Sequence, residues 1–277
     1  MKTTPWENPR GCFLPFSSFT SYLDSIYAFQ MTEVLISQEG SVLTLKLNRP
    51  QKQNAITRDM YSTLVEGLRQ ASDDFGIRCV VISHEGSHFT AGNDLFDFLN
   101  SPPLEPGSPV MNFLEQIHSF PKPLLAAVSG NAVGIGTTML MHCDVVTASP
   151  TTRFSMPFVN LGLVPEAGSS ILFPRLAGYQ RAAQVFLTGD AFSSDFAKEI
   201  GLIAEITETP LERIYEIANQ ISAQPPNAVL QTKALLKSEL HDKVSAVMRA
   251  EGELFQMALQ SDEAREAFMN FLSKKGK

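Results

Sequence analysis

The sequence predicts an α/β fold with parallel strand pairing and a wholly helical C-terminal part. Three observations carry this. Short, buried-looking apolar runs alternate with stretches of helical period. Glycines cluster where those strands should hand over to helices. From Ala182 onward the pattern is mainly helical.

Taken in order, Val34–Ile36 and Ser41–Leu47 are β-branched and alternating, with Gln38-Glu39-Gly40 between them, which predicts a hairpin. Asn48-Arg49-Pro50 ends it. Thr57–Ala71 places Met60, Leu64, Leu68 and Ala71 on one helical face, with Thr57 as N-cap. Cys79–Ile82 reads as a buried strand and Ser83–Asn93 as the loop after it. Phe96 to Asn112 contains Pro102, Pro103, Pro106, Gly107 and Pro109, so an irregular wall is expected there. A short helix follows at Leu114–Phe120, then a strand at Pro123–Val128. The expected sequel is a helix over Gly134–Cys143 and strands at Asp144–Ala148 and Arg153–Met156. Helices are then expected at Ala182–Thr188, Ser193–Ile200, Leu211–Ala223, Asn227–Glu239, Lys243–Gln260 and Ser261–Leu272, the last with Ser-Asp-Glu as cap and acidic first turn.

The composition, 44% hydrophobic and 18% charged, is that of a globular protein with a sizeable core. A formal charge of -7 argues against a nucleic-acid partner. No apolar run reaches the roughly 18 residues of a membrane span. Cys12, Cys79 and Cys143 are scattered and odd in number, which fits a reducing compartment and offers no metal-ligand spacing. His84, His88, His118, His142 and His241 also lack such spacing, and His142 is expected to pack on its helix. Met1 to Gln30 has no secretory pattern and reads as an extension. The final Lys-Lys-Gly-Lys is not a peroxisomal address, which leaves a cytoplasmic location as the expectation.

Glu166 stands out as the lone carboxylate of Met156–Ser170. An acid among apolar neighbours is expensive to ionise, so its pKa should rise towards the range of a general base. Its other reading is a cap on a helix starting near Gly168-Ser169-Ser170. Two Gly-bearing loops lie upstream, His88–Asp94 and Gly130–Thr138. Glycines at such junctions let backbone N–H groups point at a ligand oxygen, or let a helix pack closely on a strand. The second loop lacks the third glycine of a dinucleotide fingerprint and the lysine of a phosphate loop.

Four motifs occur in a telling order: Asn48-Arg49-Pro50 with Asn54-Ala55, then Phe89-Thr-Ala-Gly-Asn-Asp94, then Gly130-Asn-Ala-Val-Gly-Ile-Gly136, then Leu161-Gly-Leu-Val-Pro-Glu-Ala-Gly168. In this order they resemble the enoyl-CoA hydratase/isomerase (crotonase) family from about Met31 to Lys277. The resemblance implies a spiral of ββα units at 31–223, a helical region at 224–277 for oligomerisation and CoA contact, and an N-terminal extension at 1–30. It implies an acyl-CoA partner, a homotrimer or a pair of trimers, and no cofactor or metal besides the CoA thioester substrate. Backbone N–H groups of Ala91 and Ile135 would form the oxyanion hole. Substrate and CoA contacts would come from Lys52, Asn54, Ala55, Ala91, Gly92, Asn93, Asp94, Leu95, Gly134, Ile135, Gly136, Phe158, Phe271 and Lys274. For Asp94, a turn-forming role through side-chain to backbone bonds is the stronger expectation.

The family's hydratases resemble one another in two water-holding glutamates, and the matching positions here are Thr138 and Phe158. Glu166 falls where Δ3-Δ2-enoyl-CoA isomerases place their single catalytic glutamate. The expected activity is therefore 3-enoyl to 2-trans-enoyl isomerisation. A hydratase-like or other reaction on a specialised, for example ring-bearing, acyl-CoA and a non-catalytic acyl-CoA-binding role are the alternatives.

Overall fold

A computed structural model describes residues 32–100 and 107–275. The readings for residues 1–30, for Cys12 and for Pro102, Pro103 and Pro106 lie outside the described residues.

The alternating run after Glu33 forms β1 (Val34–Glu39) and β2 (Val42–Leu47), paired antiparallel from Val34↔Leu47 to Glu39↔Val42. Parallel strands then add in the order β2, β3 (Cys79–His84), β4 (Leu124–Val128), β6 (Val145–Ala148) and β9 (Glu205–Ile206). Period-2 alternation divides the two faces of this sheet. Leu43, Leu45, Val80, Ile82, Leu124 and Ala126 join the main core with α1 (Arg58–Asp73). Val42, Cys79, Val81, Leu125 and Ala127 turn to the other side and meet Ile214 and Ala218 of α8 (Pro210–Ser222). Both faces are covered, which is why β3 and β4 are continuously apolar. A second sheet orders β5 (Asn131–Val133), β7 (Arg153–Ser155) and β8 (Phe192–Ser193).

Helices α2 (Leu95–Asn100) and α3 (Pro109–Ser119) replace part of the irregular wall expected before Asn112. Pro109 does not break α3, because it sits in the first turn, where its missing N–H has no intrahelical partner, and Ser108 Oγ caps the start from Met111 N–H at 3.4 Å. The helix expected over Gly134–Cys143 is one α-turn, α4 (Ile135–Thr138), that tightens into a 3-10 segment at Met139–His142. The remaining helices are α5 (Ser169–Ala177), α6 (Tyr179–Thr188), α7 (Ser194–Glu199), α9 (Pro226–Ser238), α10 (His241–Leu259) and α11 (Asp262–Lys275). The expected caps form: Thr57 Oγ1 accepts from Met60 N–H, and Ser261 Oγ accepts from Ala264 N–H. Val244, Met248 and Phe255 of α10 and Ala264 and Phe268 of α11 are buried in the main core, so these last helices lie over the cleft described next. No helix among the described residues is long and apolar enough to cross a membrane.

Candidate active site

The loops that follow β3 and β5 meet beyond the C-terminal ends of the parallel strands, the usual position for a ligand in such sheets. Their contact is close because of two glycines. A Cβ on Gly92 would lie 2.9 Å from the Val133 carbonyl oxygen, and Gly92 holds φ +87°; a Cβ on Gly136 would lie 2.3 Å from Thr90 Cγ2. Thr90 ties the loop down, donating from Oγ1 to the Asn54 carbonyl at 2.6 Å and accepting from Gly92 N–H at 3.0 Å.

A cleft of about 490 Å³ opens at this junction. It gathers Lys52, Ala55, Ala91, Gly92, Asn93, Asp94, Leu95, Gly134, Ile135, Phe158 and Phe271 from the expected set, with Phe268 beside Phe271. Its inner end adjoins a small chamber of about 30 Å³, and Asn93, Phe98 and Phe255 line both. Glu166 lies in that chamber, facing Met111, Leu114 and Met248.

Three expected contacts change. The Ala91 N–H is not available to a thioester oxygen, because it donates to the Gln53 carbonyl at 2.9 Å. With the Gly92 N–H held by Thr90, Asn93 and Ile135 are cleft-lining residues, one on each loop, whose backbone N–H groups have no hydrogen-bond partner among the described residues. For Ile135 this follows from its place as the first residue of α4. Asn54 is fully buried and does not line the cleft. Its Nδ2 donates to the Glu85 and His88 carbonyls and its Oδ1 accepts from Arg49 N–H, so it is scaffold. Gly136 is also absent from the cleft wall and serves the tight packing on Thr90. The side chain of Lys274 lies outside the described residues.

Asp94 acts as the turn former. Its Oδ1 accepts from the Phe96 and Asp97 N–H groups at the start of α2, and Oδ2 meets Arg49 Nη1 at 2.6 Å. Burial pushes this carboxyl up, but Arg49 and the two N–H groups together outweigh it and hold it below the usual carboxylate range. His84 and His88 accept from the Ser129 and Asn131 N–H groups and so brace the loops. Among the described residues no group of three or more His, Cys, Asp or Glu is arranged to hold a metal.

Glu166 is 7% exposed. Burial pushes its carboxyl up to about 7; the Thr138 hydroxyl, donating to Oε1 at 2.9 Å, pulls it down, and the nearby Glu251 charge pushes it up. A carboxylate poised near neutrality is suited to take and return a proton. The capping reading belongs to another acid: Glu251 of α10 accepts from Gly168 N–H at 2.6 Å and Ser170 N–H at 2.9 Å at the start of α5. No local pattern near Gly168 announces a cap supplied from α10. Thr138 is the other group the residue pattern undersells. It cannot be a base, yet it lies one turn after Ile135 and aims the base. Behind Asn93, Tyr61 donates to Asn93 Oδ1 at 2.5 Å; burial first, and then the Glu166 charge, raise its pKa and keep that proton on the phenol.

Replacing Thr138 by Val should lower kcat about 10-fold through loss of aim. It should also move the ionisation of Glu166 upward, since the hydroxyl favours the charged form. A pH profile of kcat/KM, with its acid limb shifted to higher pH, is the check.

The sequence model of the enoyl-CoA hydratase/isomerase family matches residues 37–277. The chain is 32% identical over 253 residues to human enoyl-CoA delta isomerase 2, covering 88% of this chain and 64% of that protein, so it spans less than two thirds of that relative's length. It is 33% identical over 256 residues to the Escherichia coli 1,2-epoxyphenylacetyl-CoA isomerase, covering 88% of this chain and 97% of that one. The crystal structure of an enoyl-CoA hydratase/isomerase from Pseudoalteromonas atlantica superposes with a TM-score of 0.84 at 37% identity, over 88% of this chain and 98% of that one. With the family model spanning most of the chain and the fold shared, this protein is a member of the enoyl-CoA hydratase/isomerase family.

Proposed function

We propose that this protein is a Δ3-Δ2-enoyl-CoA isomerase that uses Glu166 as its single acid–base group. The observation that carries the reading is a mostly apolar chamber with one carboxylate near neutrality, while the positions where the family's hydratases place their glutamates hold Thr138, bonded to Glu166, and Phe158, in the wall of the adjoining cleft. The likeness to human enoyl-CoA delta isomerase 2 supports it.

In the proposed reaction the thioester oxygen accepts from the Asn93 and Ile135 N–H groups. Glu166 removes a proton from C2, and the electron pair of that C–H bond becomes the enolate, with its negative charge on the oxygen. Preorganised donors lower the cost of that charge, each by about 3 kcal/mol. The same carboxyl then protonates C4 as the C2=C3 bond forms and the carbonyl returns. No water takes part, and the apolar chamber guards against addition to the double bond. The CoA thioester is itself the substrate, so no cofactor is needed. In this reading Lys52, a cation in the cleft wall, meets a CoA phosphate, and Phe271, also in that wall, contacts the nucleotide end of CoA. A homotrimer or a pair of trimers is the proposed assembly, supported by exposed Leu235 and Leu236 on α9.

Product analysis tests the reading. A 3-enoyl-CoA should yield the 2-trans-enoyl thioester, and a 2-enoyl-CoA should yield no 3-hydroxyacyl-CoA. Hydration of the 2-enoyl substrate would overturn it. Because Glu166 must be ionised to act, kcat/KM should rise with pH through about 7 and level above it.

A further inference from the structure

The segment that carries Glu166 is strained. Ala167, 2% exposed, takes φ +59°, a left-handed conformation that is unfavourable for an L-residue. Such a residue keeps its shape only when its surroundings fix it. Relaxing the kink would swing the preceding side chain, which is Glu166, out of its chamber.

Two side chains fix it. His142, 2% exposed, donates from Nε2 to the Ala167 carbonyl oxygen at 2.7 Å. Burial pushes the pKa of His142 down to about 3, so the ring is neutral, and the carbonyl partner places its proton on Nε2. His142 is itself held, with Lys237 Nζ donating to its carbonyl at 2.9 Å. Glu251 grips the far side of the kink through the Gly168 and Ser170 N–H groups, where Gly168 offers no side-chain cap to α5. Ile135, Thr138 and His142 recur at helical spacing along α4 and its 3-10 extension. One short element thus presents the Ile135 N–H, grips the Glu166 carboxyl and grips the following carbonyl.

We propose that His142 and Glu251 are positioning residues: they lock the Ala167 kink and so register the Glu166 carboxylate against the Ile135 N–H. Neither lines the cleft or the chamber. The proposal rests on Glu166 as the base of the reaction proposed above, and its test is separable from that reading.

The first readout needs no turnover: a side-chain carbon-13 titration of Glu166 in ligand-free protein, wild type against His142→Ala. The groups facing that carboxyl, Thr138, Tyr61 and Glu251, are unchanged in this variant. Release of the kink should expose Glu166 and bring its pKa down towards the ordinary carboxylate value. The second readout is kinetic. His142→Ala and Glu251→Ala should each lower kcat about 10- to 100-fold with KM within about 3-fold, and His142→Gln, whose amide N–H can reach the same carbonyl, should recover most of the loss. Glycine accepts positive φ freely, so His142→Ala should cost at least about 5-fold less when Ala167 is Gly. If His142→Ala does not fold, the His142→Gln and Ala167→Gly comparison carries the test. An unshifted Glu166 titration, no rescue by Gln, or full additivity with Ala167→Gly would overturn the proposal. A wild-type protein that leaves 3-enoyl-CoA unchanged would instead overturn the isomerase reading while the titration still decides this one.

Discussion

Glu166→Gln should abolish turnover, lowering kcat by about 10³-fold or more while KM for an enoyl-CoA changes by no more than a few-fold. The amide keeps the shape of the carboxyl and an oxygen for the Thr138 hydroxyl, but it cannot take a proton from C2. The same substitution should have an opposite effect on stability. The folded pKa of about 7 lies above the unfolded value of 4.5, so the stabilising, protonated form is fully present below 4.5 and is lost as pH rises through 7. Across that window the wild type should lose ~3 kcal/mol that the variant keeps. Denaturant unfolding of both proteins at pH 5 and pH 8 is the check, with the variant gaining far more on the wild type at pH 8 than at pH 5. A chamber that destabilises its own charged acid is the expected cost of a base tuned to neutrality.

Asn54→Ala should be the most damaging substitution outside the chamber. It leaves the Glu85 and His88 carbonyls and the Arg49 N–H without their partner in a fully buried site. At about 1–3 kcal/mol for each stranded group, partly relieved by relaxation, the expected loss is about 3–5 kcal/mol. Asn54 also holds φ +54° and offers its carbonyl to Thr90, which in turn orients the Gly92 N–H. Activity should therefore fall further than binding in whatever fraction still folds. Thermal unfolding read beside kcat/KM separates the two losses.

The contrast between Asn54 and Glu166 shows what the sequence can tell. Glu166 was legible because one acid in a long apolar stretch is an electrostatic anomaly that needs no structure to notice. The hairpin, β3 and β4 were legible because period-2 and continuously apolar runs report which faces are covered. Asn54 has no such local signature: its three bonds reach 5, 31 and 34 residues along the chain. The oxyanion donors show the same limit. The motif located the loop, but which N–H faces the cleft depends on Gln53 claiming the Ala91 donor and Thr90 claiming that of Gly92. That leaves Asn93, two residues beyond the position the motif suggests. His142 and Glu251 were hidden for the same reason. The spacing predicts a longer helix than the single turn of α4, because Met139–His142 keeps helical spacing while tightening to 3-10 geometry.

The decisive experiment is label transfer. A 3-enoyl-CoA carrying deuterium at C2 is incubated with the protein in ordinary water, and the product is analysed by mass and position of label. Transfer by one carboxyl in a dry chamber predicts a 2-trans-enoyl product with a measurable share of the deuterium at C4 and no 3-hydroxyacyl-CoA. Complete loss of label to solvent, accompanied by 3-hydroxyacyl-CoA, would mean that water enters the chamber and that Glu166 does not work alone.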